Sequence, residues 1–147
     1  MALCLPSSPA SAAMVWTFHN GYSGKCLEVA DWRTDNGAPA RQWDCTGQPN
    51  QGWYWIDWNS NDDAMLQNQH SGKCLEVADW RTDNGAPVRQ WDCTGRPNQE
   101  WAFVLSGSRN ALINRHSGKC LEVADWRTDN GAPVRQWDCT GQPNQQW

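Results

Sequence analysis

Apolar and polar residues alternate along this chain over short stretches, and no stretch of useful length keeps a helical period. Cys26-Leu27-Glu28-Val29 alternates and carries a β-branched residue, the pattern of a strand. Thr34-Asp35-Asn36-Gly37 follows as a turn, because Asn and Gly tolerate left-handed φ. Ala40-Arg41-Gln42-Trp43-Asp44-Cys45 reads as the next strand. Thr46-Gly47-Gln48-Pro49-Asn50 turns again, before a short strand end at Gln51-Gly52-Trp53. Further β-rich runs cover 53–58 and 101–105, with turns at 59–63 and 106–110 and return strands at 65–69 and 112–115.

These elements recur. Residues 22–53, 70–101 and 116–147 are nearly one block of 32 residues. The second copy differs from the third only at Arg96 against Gln142 and Glu100 against Gln146. The first departs from the third at Tyr22, Ala40 and Gly52. Such a period marks a repeat architecture, and a unit of about four strands cannot bury an apolar face alone. Threefold closure gives three units one core and leaves few open edges. The pattern therefore predicts an all-β chain, a β-trefoil with pseudo-threefold symmetry and three four-stranded repeats, twelve strands in total. The domain spans 14–147, with repeats near 14–53, 54–101 and 102–147. An open solenoid suits the unequal hairpins less well. Closure requires 15–18 to lie beside the strand that ends at Trp147.

Composition narrows the chemistry. The net charge is −4, with no clustered cations, which argues against a nucleic-acid surface. No apolar run approaches the roughly 20 residues that span a bilayer, so membrane insertion is not expected. Seven cysteines and twelve tryptophans are unusual in 147 residues. Residues 1–13 resemble the tail of a secretory signal, with small residues suited to cleavage, and predict a secreted, extracellular protein. Cleavage near Ala12 removes Cys4 and leaves six cysteines. Cys26/Cys45, Cys74/Cys93 and Cys120/Cys139 are each 19 positions apart, so the simplest connectivity is one disulfide within each repeat. Each loop contributes about 3 kcal/mol on the loop-entropy estimate. Two cysteines per unit with no second pair nearby make no four-ligand zinc cage, and no metal or cofactor is expected.

Ser23-Gly24-Lys25-Cys26-Leu27-Glu28-Val29, the run Gly37 to Cys45, and Asn50-Gln51-Gly52-Trp53 together resemble the ricin B-type (R-type) lectin repeat. Its mark is the Gln-x-Trp end, here Gln51/Trp53, Gln99/Trp101 and Gln145/Trp147. The resemblance covers the chain after the leader and rests on three copies, each with two cysteines at family spacing. Within the family the chain is most similar to the bacterial three-repeat hemagglutinins of streptomycetes. The resemblance implies a multivalent lectin for mono- and oligosaccharides and cell-surface glycans, with small sugars such as L-rhamnose or galactose as ligands. A monomer or weak dimer is expected.

The resemblance also places a site in each repeat. The family's sugar-clasping Asp position holds Glu28, Glu76 and Glu122. A position that often carries Gln holds Arg41, Arg89 and Arg135, two residues before the stacking aromatics Trp43, Trp91 and Trp137. Asn50, Asn98 and Asn144 match the Asn of the family's Asn-Gln pair, and Asp31, Asp79 and Asp125 match an acidic site position. The Glu and Arg departures occur together in all three units and could form an ion pair that fixes the site instead of touching the ligand.

A sugar offers hydroxyls in fixed directions and a C–H patch on one face, so it calls for carboxylates or amides plus an aromatic platform. Trp43 and its copies could be platforms or packing residues. Trp32, Trp80 and Trp126 sit in a polar turn with no core to fill, which suits ligand contact or a dimer contact. Trp53, Trp101 and Trp147 read as core, and Asn50 and Gln51 are also open to a turn-stabilising role. Arg96 and Glu100 would make the second site differ if they lie near it. His70, His116 and Tyr22 read as turn residues.

Three other functions compete. Glu28 and Asp31 are a carboxylate pair of the kind glycosidases use, but a trefoil has no deep cleft to desolvate an acid, and triplication suits binding, so no enzyme is expected. A protein-binding trefoil inhibitor uses one special loop, which this chain lacks. A carbohydrate-targeting module of a secreted hydrolase would bind in the same way in a different context.

Overall fold

The computed structural model describes residues 14–57, 63–106 and 109–147. The leader over 1–13 and most of the two hairpin turns, 58–62 and 107–108, lie outside the described residues. The first repeat contains β1 (Val15–Trp16), β2 (Cys26–Val29) and β3 (Ala40–Trp43). The second contains β4 (Trp53–Asp57), β5 (Asp63–Asn68), β6 (Cys74–Val77) and β7 (Val88–Trp91). The third contains β8 (Trp101–Ser106), β9 (Arg109–Asn114), β10 (Cys120–Val123) and β11 (Val134–Trp137). All strand pairings are antiparallel. No helix among the described residues is long and apolar enough to cross a membrane.

The expected twelve strands become eleven among the described residues. Trp147 is the counterpart of Trp53 and Trp101, with which β4 and β8 begin. The closure also differs in detail. β1 pairs with β4, Val15 opposite Tyr54 and Trp16 opposite Trp53, and not with the C-terminal run. That run meets residues 20 and 21 of the following loop instead. Gly21 N–H donates to the Gln146 carbonyl at 2.8 Å, and Asn20 Nδ2 donates to the Asn144 carbonyl at 3.0 Å. The expected strand end at 51–53 is a 3-10 turn over Pro49–Gln51, because Pro49 sets a helical φ at its start.

The core is built from threefold sets. Leu27, Leu75 and Leu121 are fully buried, as are Val29, Val77 and Val123, with Phe18, Leu66 and Leu112 beneath them. Trp53, Trp101 and Trp147 are buried as expected, and each satisfies its indole N–H by donating to the carbonyl of Leu27, Leu75 or Leu121 at 2.9–3.1 Å. Disulfides join Cys26 to Cys45, Cys74 to Cys93 and Cys120 to Cys139, fastening β2, β6 and β10 to the chain just beyond β3, β7 and β11. His19 lies beside the first pair, but joined sulfurs offer no thiolate to a metal.

The repeats also hold one another in a ring. Asn36 Nδ2 donates to the Asp92 carboxylate at 2.9 Å, and Asp92 N–H donates back to Asn36 Oδ1 at 2.9 Å. Asn84 repeats this with Asp138, and Asn130 with Asp44, so the third repeat reaches the first. Beneath these contacts the N–H groups of Gln42, Gln90 and Gln136 donate across repeats to Ala132, Ala38 and Ala86, each at 3.0 Å.

Candidate functional site

Each repeat sets Glu and Arg opposite one another on its β2–β3-type pair: Glu28 faces Arg41, Glu76 faces Arg89 and Glu122 faces Arg135. Opposite charges at paired positions of antiparallel strands attract. Arg41 Nε donates to Glu28 Oε2 at 2.9 Å, with 3.0 and 2.9 Å in the other repeats. The other oxygen of Glu28 accepts from Gln51 Nε2 at 3.0 Å and from Asn50 Nδ2 at 3.4 Å. Glu28 is only 3% exposed, so all the donors it meets belong to the protein. Glu28, Glu76 and Glu122 are anchors that position Arg, Asn and Gln around them.

Arg41 is held on three sides. Besides Glu28, its terminal nitrogen lies 3.3 Å from Asp31 Oδ1, and its guanidinium carbon sits 4.4 Å from the centre of the Trp43 ring. Residues 41 and 43 are two apart on one strand and share a face, which brings the cation over the ring. Arg89 on Trp91 and Arg135 on Trp137 repeat this at 4.6 and 4.5 Å. One face of each of these tryptophans is thus covered by guanidinium.

The turn after β2 has an unusual backbone. Asp31 and Trp32 both adopt left-handed φ, 55° and 54°, and the copies Asp79/Trp80 and Asp125/Trp126 do the same. Such a conformation costs on the order of 1–3 kcal/mol per residue and persists only where surroundings hold it. Here it lifts the Asp31 carboxylate, whose side chain is 73% exposed, and the Trp32 ring onto the surface. Each raised ring packs edge to face on the next repeat: Trp32 on His70, Trp80 on His116, Trp126 on Tyr22, with centroids 4.9–5.0 Å apart. The three turn residues read from the sequence are therefore also partners of the raised tryptophans.

These groups line one open pocket per repeat, of about 340, 240 and 370 Å³ in chain order. All six expected positions of each repeat come together: Glu28, Asp31, Trp32, Arg41, Trp43 and Asn50 in the first, with their counterparts in the others. The pocket wall also includes Thr46 and Gln48, which sequence reasoning missed, although their place in the turn between Trp43 and Asn50 was a signal. Gln51 does not face the pocket. Its amide ties the turn, accepting from Thr46 N–H and donating to the Asp44 carbonyl, each at 2.8 Å. Asn50 is shared: its Nδ2 serves Glu28, while its buried Oδ1, like those of Asn98 and Asn144, finds no hydrogen-bond partner in the protein.

Residues 14–147 match the family model of the ricin-type β-trefoil lectin domain. The chain belongs to this family. Among solved structures it is similar to the designed threefold symmetric protein ThreeFoil, with 37% identity, a TM-score of 0.87, and coverage of 90% of this chain and 95% of that one. It is also similar to 1,3Gal43A, an exo-β-1,3-galactanase from Clostridium thermocellum, with 32% identity and a TM-score of 0.88. That match covers 94% of this chain but only 30% of the enzyme's. The Rhizoctonia solani agglutinin shares the fold at 20% identity, with a TM-score of 0.84 over 100% of this chain and 96% of that one. No curated protein sequence matches the chain. The lectin family supports carbohydrate binding by a domain without catalysis, and the three disulfides of this lectin fit an extracellular setting.

Proposed function

We propose that the protein is a secreted, multivalent lectin with one sugar site per repeat, binding small neutral sugars such as L-rhamnose or galactose. The observation that carries this reading is the triplicated pocket, in which a raised Trp, an exposed Asp and a buried, unpartnered Asn oxygen recur on the same frame. Trp32 supplies a platform for a C–H face, since Trp43 is already covered by Arg41. Asp31 accepts hydroxyls at the rim, Asn50 Oδ1 accepts one at the floor, and Arg41 donates from nitrogens not spent on Glu28. Glu28 takes no part in contact and positions the rest. The 14–147 span acts as one binding domain.

Open pockets of this kind bind singly at about millimolar to tens of micromolar, roughly 4–7 kcal/mol. Three outward sites compensate on a glycan-coated surface through effective concentration, by about 10²–10⁴. They also allow cells to be cross-linked. The test is a glycan array and red-cell agglutination with Trp32→Ala, Trp80→Ala and Trp126→Ala combined. Binding and agglutination should vanish while the circular dichroism spectrum holds. Undiminished binding would move the platform to Trp43, Trp91 and Trp137.

A second reading, a carbohydrate-targeting module of a larger secreted hydrolase, is favoured by the 32% identity to 30% of a galactanase. That enzyme acts on galactan, which agrees with galactose among the proposed ligands. Attachment to a catalytic partner would be read from the full-length gene product by mass spectrometry.

A further inference from the structure

The second pocket differs from the other two in one lining residue. Gln48 lines the first pocket and Gln142 the third, but Arg96 lines the second. Arg96 is exposed, and its backbone N–H donates to Thr94 Oγ1 at 3.3 Å, which holds its Cα at the lip. Among the described side chains every other Lys and Arg ends on a carboxylate, whereas Arg96 has no such partner. The pocket's own carboxylates are engaged elsewhere: Glu76 accepts from Arg89 Nε at 3.0 Å, and Asp79 lies 3.3 Å from the same guanidinium. Glu100, the other departure of this repeat, does not line the pocket. The first and third pockets set two carboxylates against one guanidinium. The second has a second guanidinium, unpaired and facing solvent at the mouth.

We infer that the second-repeat pocket takes a sugar bearing a carboxylate or sulfate group, with Arg96 as the specificity-determining residue. A guanidinium presents a planar fork of donors that matches either anion in two parallel hydrogen bonds. The first and third pockets, lacking that fork and carrying excess negative charge, favour neutral sugars. The three sites are thus two of one kind and one of another, and the protein bridges neutral and anionic glycans. This inference rests on the sugar-binding reading of the same pockets.

The test uses the full chain on an array that pairs neutral glycans with their sulfated, uronic-acid and sialylated counterparts, which separates sulfate from carboxylate recognition. Trp32→Ala with Trp126→Ala first silences the neighbouring sites. On that background anionic members should bind about three- to tenfold more tightly than neutral ones, and the preference should fade in high salt. Arg96→Gln should remove the preference. In a protein whose first and second sites are silenced instead, Gln142→Arg should install it in the third. Neutral glycans binding with an anionic-to-neutral ratio that neither exchange moves would overturn this inference and leave the lectin reading standing. An absence of binding to every glycan by the unaltered protein would overturn both.

Discussion

Arg41 lies over the ring of Trp43, its guanidinium carbon 4.4 Å from the centroid, and the same nitrogen fork reaches Glu28. The arrangement fills what would otherwise be a stacking surface and leaves a buried carboxylate dependent on a single cation. Arg41→Ala should therefore cost about 3–5 kcal/mol of stability, the range for stranding one partner of a buried ion pair. Arg41→Met, which keeps the stem on the ring, should recover little of it. Urea denaturation of the two variants measures the difference.

Asp31 is expected to behave oppositely. Its side chain is largely exposed, its contact with Arg41 is long, and Asn tolerates the same left-handed backbone. Asp31→Asn together with Asp79→Asn and Asp125→Asn should leave stability within about 0.5 kcal/mol per site. Sugar affinity should nevertheless fall about tenfold as charged acceptors become neutral. Calorimetric titration beside thermal melting would separate the two effects. Loss of stability without loss of affinity would remove Asp31 from the proposed site.

Acid should loosen the joints between repeats. Asp92 is held below its ordinary pKa of 3.8 first by the Asn36 amide and then by Lys73; Asp138 is held likewise by Asn84 and Lys119. For Asp44 the order is Lys25, then Asn130. A carboxylate with a lowered folded pKa stabilises above its unfolded value and loses that contribution as pH falls through the folded one. Melting temperature should thus be steady with respect to these groups above about pH 5 and fall below about pH 4. Replacing Asn36, Asn84 and Asn130 by Ala should shrink that acid-side fall.

Gly52 stands where the other repeats carry Glu100 and Gln146. A Cβ there would collide with Gln69 Oε1 and would meet Val15 Cγ1 at 2.9 Å. Gly52→Gln, which makes the first repeat match the third, should destabilise by about 1–3 kcal/mol through overcrowding against β1. Chemical denaturation would detect it, and a stabilising outcome would show that Gln69 and β1 yield without cost.

Much of this was legible in the chain itself. The 19-residue cysteine spacing marked the disulfides, and the repeated Gln-x-Trp ends marked the buried tryptophans. Five of the six pocket positions per repeat were reachable from the resemblance, and Trp32 with its copies from its place in a polar turn. The division of labour among them was not. Glu28 looks like a ligand-clasping acid until the amides of residues 50 and 51 arrive from a turn 22 and 23 positions away. Trp32 and Trp43 look alike in the sequence. What separates them is a left-handed backbone at one and a guanidinium over the other, both products of tertiary structure.

The Asn–Asp clasps run from first repeat to second, second to third, and third back to first. A linear array can fray from its ends, repeat by repeat, whereas a cycle offers no outermost member to peel away. Opening any one lobe breaks clasps on both its flanks, so the lobes should melt together in a single cooperative step. The same cycle has no preferred starting point: a circularly permuted chain, cut between lobes and rejoined elsewhere, would rebuild every clasp.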